Sequence, residues 1–279
     1  MRTIYSFLEI KTIVGQLKME GKSIGLVPTM GALHQGHEAL IRQSVKDNDI
    51  TITSIFVNPL QFNNQNDLVN YPKTLSSDLK ILEKIKCDIA YCPSEKEMYP
   101  TPSKLKIGFN EFSNKLEGEF RPGHFEGVAV IVMKFFNQIQ PTTAYFGLKD
   151  YQQFLLIKKI VQELSYPIKL VGIPTVREPS GLAMSSRNLK LSADGRKTAA
   201  SIYQGLVLGK ELSQKGKSIV ETKQLLMEFY STIKGLDIEY LEILDENLED
   251  PSENTDTIAC IAAYVEGVRL IDNLYLRQD

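Results

Sequence analysis

Cysteine is scarce in this chain. Cys87, Cys92 and Cys260 are the only three, too few and too scattered for a disulfide framework. They suit a reducing cytosol, and Cys87 and Cys92 read as small buried hydrophobes rather than metal ligands. Long apolar runs are missing too. No uninterrupted stretch approaches the length of a bilayer span, and Met1 to Ser6 opens no signal-peptide core. The expectation is a soluble, cytoplasmic protein with no membrane partner. Charge of one sign is nowhere concentrated. The formal net charge is −2, the pI is near 6.0, and no lysine- or arginine-rich cluster occurs, which argues against a nucleic-acid surface. No repeat or low-complexity segment is present. Histidine is as rare as cysteine, yet two of its three copies stand at positions 34 and 37.

What remains is a chain of 279 residues, 43% apolar, long enough to bury one large core and a smaller second one. Short apolar strands alternate with helical stretches up to about residue 175, the signature of βαβ units and a parallel sheet. Strands are expected at Ile24–Val27, Ile50–Val57, Ile89–Cys92, Ala144–Phe146 and Ile168–Ile173. Helices are expected at His37–Lys46, Thr74–Lys86, Gly127–Ile139 and Tyr151–Leu164. The run Val128–Met133 is apolar all round, which implies a helix buried against the sheet. Beyond Arg177 the pattern becomes two helices (191–215 and 218–234), then short strands near 238–244, 258–265 and 268–274. Residues 246–257 are acidic, contain Pro251 and read as a solvated loop. The fold class is thus α/β: a Rossmann-like, doubly wound parallel sheet over residues 1–176, followed by a smaller α+β lid domain over 177–279.

The segment Pro28-Thr29-Met30-Gly31-Ala32-Leu33-His34-Gln35-Gly36-His37 joins the first of these strands to its helix. A glycine-bearing turn opening a helix offers backbone N–H groups and the positive end of a dipole to an anion. His34 and His37, three apart in the first turn, can face one ligand. Gly31 and Gly36 let a ligand approach the backbone. The plain alternative is a helix cap with two surface imidazoles. Zinc fits less well, because no third ligand stands at a recognisable spacing.

The ten-residue run resembles the signature of the pantoate–beta-alanine ligases, members of the nucleotidylyltransferase superfamily with its His-x-Gly-His motif. Four more segments agree, in the family's order: Phe56-Val57-Asn58-Pro59-Leu60-Gln61-Phe62, Arg121-Pro122-Gly123-His124-Phe125, Phe146-Gly147-Leu148-Lys149-Asp150-Tyr151-Gln152-Gln153, and Val176-Arg177 with Gly181-Leu182-Ala183-Met184-Ser185-Ser186-Arg187-Asn188. The resemblance covers nearly the whole chain.

It implies ATP-dependent condensation of pantoate with beta-alanine through an acyl-adenylate, with AMP and pyrophosphate released. The rival reading within the superfamily is a nucleotidylyltransferase acting on another small acceptor. A non-catalytic nucleotide-binding regulator is a third, less compatible with His37, Lys149 and Arg187 all present. The family's ATP-binding positions fall on Met30, Gly31, Ala32, Leu33, His34, Gln35, Gly36 and His37, with His37 as the catalytic proton donor. They fall also on Gly147, Leu148, Lys149 and Asp150, on Val176 at the adenine, and on Met184, Ser185, Ser186 and Arg187 at the outer phosphates. Leu148 departs from the Glu or Gln common in the family, which favours a backbone role there. Gln61 and Gln153 match the pantoate-binding amides, and Gln61 also the beta-alanine site. Leu60 keeps an apolar wall where Met or Thr is common. Asn58, Tyr71 and Arg121 are additional pocket candidates, and His124 is read as structural. The resemblance also implies a homodimer, and ATP chemistry implies Mg²⁺ carried on phosphate oxygens. No metal ligand is assigned, Asp78 being a possible one without support.

Overall fold

The computed structural model describes residues 1–101, 107–252 and 255–277. These fall into two compact units, one of Met1–Leu148 with Gln153–Pro174, the other of Lys149–Gln152 with the chain from Thr175 onward. In the first unit the chain begins with β1 (Arg2–Ile4), α1 (Phe7–Met19), β2 (Ile24–Thr29), α2 (Gln35–Asp47) and β3 (Ile50–Ile55). The short α3 (Gln65–Val69) and the longer α4 (Leu75–Lys84) precede β4 (Ile89–Tyr91). Four-residue helices α5 (Glu95–Met98) and α6 (Glu117–Phe120) lead to α7 (His124–Ile139), β5 (Thr143–Gly147), α8 (Tyr151–Glu163) and β6 (Lys169–Ile173).

These strands form one parallel sheet in the order β1-β4-β3-β2-β5-β6. From β2 the chain winds one way through β3 to β4, and the other way through β5 to β6. The direction therefore reverses between β2 and β5. Ligands of open α/β sheets bind beyond the carboxyl ends of the strands at such a reversal. Alternation along β4 shows how the sheet is covered on both faces. Ala90, with neighbouring Cys92, joins Val27, Leu40, Ile41 and Leu82 in the core under α2 and α4. Tyr91 points the other way, its ring edge-on to Phe135 of α7. A strand buried on both faces reads as continuous apolar sequence, which is why β2 shows no polar alternation.

Five elements escape the sequence reading. β1 is only three residues long, and α1 buries just Ile10 and Val14, so neither carries a strong period; α3, α5 and α6 are too short to show one. Another element is longer than expected: α7 starts at His124, because Gly123 supplies a left-handed residue at its N-terminus. Gly127 thus sits inside the helix. A Cβ there would overlap the Leu60 carbonyl, so glycine is what lets the helix meet the 59–61 turn.

The second unit holds α9 (Ala193–Gln214), α10 (Ile219–Ser231) and an antiparallel sheet of β7 (Leu236–Asp245), β8 (Thr257–Val265) and β9 (Val268–Arg277) in the order β7-β8-β9. Leu206, Leu226, Tyr230, Leu241, Ile243 and Ile261 belong to its core, and the Tyr230 hydroxyl donates to the Ile202 carbonyl at 2.7 Å. α10 begins with a capping box in which Ser218 and Glu221 satisfy each other's backbone N–H groups. Among the described residues no helix is long and apolar enough to cross a membrane.

Candidate active site

Three of the singled-out segments leave the carboxyl ends of neighbouring strands in the first unit. Met30–His37 follows β2, Asn58–Phe62 follows β3, and Gly147–Leu148 follows β5, where Gly147 still pairs with Ile173.

The turn after β2 departs from the sequence expectation in one respect. Its amides do not point outward. Gly31 N–H donates to Thr29 Oγ1 at 3.2 Å, and Ala32 and Leu33 N–H donate to the two carboxylate oxygens of Asp78 at 3.0 and 2.8 Å. Gly31 and Ala32 are both left-handed, with φ of 80° and 50°. For alanine that conformation costs about 1–2 kcal/mol. Two charge-assisted bonds to a buried carboxylate, roughly 1.5–3 kcal/mol each, outweigh it. Asp78 is 1% exposed and also accepts from Thr74 Oγ1 at 3.1 Å, so its oxygens are occupied by protein donors. That argues against the metal role considered for it. Among the described residues no group of three or more His, Cys, Asp or Glu side chains could hold a metal ion.

The histidines cap the helix, as the plain alternative held, yet they are half-buried rather than surface groups. His34 is the N-cap of α2, and its Nδ1 accepts Gly36 N–H at 3.1 Å. His37 reaches back, its Nδ1 accepting His34 N–H at 3.3 Å. The ring centroids are 4.0 Å apart. Because each Nδ1 accepts from a backbone donor, the proton of each neutral ring is on Nε2. Both imidazoles are thereby Nε2 donors, a chemistry suited to phosphate oxygens.

Gln61 is joined to this turn. Its Nε2 contacts Met30 Sδ at 3.1 Å, while its Oε1 accepts from Asn58 Nδ2. Asn58 is 1% exposed and is the hub of the turn: its Nδ2 also reaches the Gly127 carbonyl, and its Oδ1 accepts from Tyr99 Oη at 2.8 Å. Burial drives the Tyr99 phenol upward, so it remains a donor. Tyr99, distant in sequence, was not anticipated; nothing in an isolated tyrosine announces such a contact. The His124 ring is 5% exposed. Its Nε2 faces Arg121 Nη1 at 3.1 Å, and guanidinium can only donate, so Nδ1–H donates to the Gln61 carbonyl at 2.9 Å. Arg121 also pairs with Glu117 at 3.3 Å. Tyr71 is buried, edge-on to Phe62. Gln153 is half-buried in the first turn of α8, and the Leu148 side chain lies against Gly172.

In the second unit the other candidates are held by backbone contacts. Lys149 is half-buried and Asp150 exposed, with the Lys149 carbonyl accepting from Asn273 Nδ2 at 2.8 Å. Val176 and Met184 face each other across a hairpin, Met184 N–H donating to the Val176 carbonyl at 2.9 Å. Ser185 caps the turn that follows through Arg187 N–H, Ser186 is buried, and Arg187 is half-buried. Next to Val176, Arg177 forks onto Asp272 at 2.6 and 3.0 Å and stacks over the Tyr203 ring, fixing the hairpin to β9.

A doubly wound sheet with a paired-imidazole helix cap at its winding reversal defines a nucleotide-binding α/β enzyme. The comparisons narrow this. The family model for pantoate-beta-alanine ligase matches residues 2–275, and the chain belongs to that family. Pantothenate synthetase of Cytophaga hutchinsonii is 44% identical over 99% of both chains. The crystal structure of pantothenate synthetase from Thermus thermophilus superposes with a TM-score of 0.94, at 37% identity over the full length of each chain. The Francisella tularensis pantoate-beta-alanine ligase, complexed with beta-gamma ATP and beta-alanine, matches with a TM-score of 0.84 and 36% identity, covering 100% of this chain and 99% of that one. These relatives favour the ligase reading over nucleotidyl transfer to another acceptor.

Proposed function

We propose that this chain condenses pantoate with beta-alanine at the expense of ATP, as the names of its relatives describe. The observation that carries the reading is the reciprocal imidazole cap of His34 and His37 at the end of β2, tied through Met30 to the Gln61 amide. Phosphate donors and a carboxylate- and hydroxyl-reading amide thus stand on two turns that touch through Met30.

The pantoate carboxylate, already ionised at neutral pH, attacks the α-phosphorus of ATP. A carboxylate–phosphorus bond forms, the α–β bridging P–O bond breaks, and pyrophosphate leaves. The neutral amine of beta-alanine then attacks the acyl carbon, AMP leaves, and the amine proton passes to solvent. No strong base is needed, so placement and charge neutralisation carry the rate. We assign the triphosphate to Met30–His37, with His37 donating from Nε2 as charge builds on the departing pyrophosphate. Lys149 supplies a cation for the α-phosphate, Gly147, Leu148 and Asp150 contact the nucleoside, Val176 serves the adenine, and Met184–Arg187 hold the outer phosphates. Gln61 and Gln153 read the hydroxyl and carboxylate of pantoate, and Gln61 adjoins the beta-alanine site. Mg²⁺ enters on the phosphates of ATP, since it binds mainly through phosphate oxygens with few protein ligands. A cytoplasmic homodimer completes the proposal.

Pyrophosphate exchange into ATP tests it. Exchange should require Mg²⁺ and pantoate but not beta-alanine, and adding beta-alanine should release AMP with an amide product. Exchange without pantoate overturns the reading.

A further inference from the structure

We propose that Asp78 is a positioning residue for the paired histidines: an internal anion that fills the amide cradle of the 31–33 turn and thereby sets the imidazole cap. The inference rests on the function proposed above for its kinetic arm only. Successive N–H groups in a left-handed turn form a concavity that binds anions. Here the anion is the protein's own carboxylate, 1% exposed, contributed by α4 and lying between Thr74 Oγ1 and the N–H groups of Ala32 and Leu33. The fit is close enough that a Cβ at Gly31 would come within 3.0 Å of Asp78 Oδ2 and 3.2 Å of Ile55. Leu33 is followed directly by His34, whose backbone N–H is the donor to His37 Nδ1. A carboxylate that fixes residues 32 and 33 therefore fixes where that donor stands, and with it the tautomer and tilt of His37.

The division of labour follows. The inner anion takes the Ala32 and Leu33 amides, so a ligand phosphate at this turn meets imidazole Nε2–H groups rather than those two backbone N–H groups. An aspartate is specifically required, because both bonded amides are donors and only two acceptor oxygens answer them. Asparagine keeps the shape but turns an NH₂ toward one of those donors.

The test is D78N, with T74V as a milder variant that removes a single bond to the same carboxylate. In pyrophosphate exchange, D78N should lower kcat at least 30-fold while the KM for pantoate stays within threefold. T74V should lower kcat three- to tenfold. Two-bond ¹H–¹⁵N spectra of ¹⁵N-histidine protein at pH 8 give the second readout, independent of turnover. In the parent protein His34 and His37 should both be Nε2–H tautomers, and the His37 signals should move toward a tautomer mixture in either variant. A folded D78N with kcat within threefold of the parent and unchanged histidine signals overturns the proposal. If D78N does not fold, T74V decides by the same two readouts. If the parent shows no exchange, the function proposed above fails, and the spectra alone decide the role of Asp78.

Discussion

At the scale of single residues, the hydrogen bonds divide the three histidines into two chemical kinds. His34 and His37 accept at Nδ1, whereas His124 must accept at Nε2 from Arg121 and donate from Nδ1 to the Gln61 carbonyl. Histidine ¹⁵N spectra should therefore show one ring of the Nδ1–H type among three, and H124Q should abolish that signal alone. If His37 donates to the leaving pyrophosphate, H37A should reduce kcat by about 10²-fold or more, the usual scale for lost proton donation. Activity close to the parent's would refute the assignment. Q153A should instead raise the KM for pantoate and leave that for ATP unchanged, measured by initial rates with each substrate varied. The thiols give a plainer test. Burial, aided by Asp78 and Cys87, pushes Cys92 up to about 12, and burial likewise raises Cys87. Both should resist iodoacetamide at pH 8 until denaturant is added, as counted by mass spectrometry, since the thiolate is the reacting form.

At the scale of elements, what could be read from sequence followed the strength of each local signal. Strands β2 to β6 were legible as short runs of apolar and β-branched residues: β2, buried on both faces, leaves no polar gap, and the polar residues of β3 are small Thr and Ser that are themselves buried. The helix opening at residue 34 was legible because its glycines and histidines are unusual in that order. Its outward amides were wrongly expected, since the acid that takes them lies on α4. Asp78 sits among Ser76, Ser77 and Lys80, company that reads as a solvated face. Only the pairing across the fold reveals it as buried. The same holds for Tyr99 on Asn58. The capping box of α10 allows a test at this scale. Backbone and side-chain bonds from Ser218, with Lys217 alongside, hold the Glu221 carboxyl down to about 2. A depressed folded value means that the stabilisation is complete above the ordinary carboxyl range near 4.5 and is lost as pH falls toward 2. The stability difference between the parent and E221Q, followed by urea unfolding, should shrink over that window.

At the scale of the whole molecule, each unit has its own core, and the second is anchored by a buried ion pair. The Arg177 and Asp272 side chains are 15% and 4% exposed. D272A strands the guanidinium and should destabilise the second unit by about 3–5 kcal/mol, the range for breaking one partner of such a pair. A lowered urea midpoint reported from that unit checks it. Subunit association is a property of the whole chain, and sedimentation velocity should give twice the 31.5 kDa chain mass if the homodimer proposed above forms.

The Asn58–Gln61 turn rests on bare main chain, because Gly127 brings helix α7 against the Leu60 carbonyl and offers its own carbonyl to Asn58. Nothing there can be trimmed. If the acid binds on this turn as proposed above, an engineer seeking to admit a bulkier one gains no room by shaving side chains from that contact, and a methyl added at Gly127 would lift the turn and carry the Gln61 amide out of register.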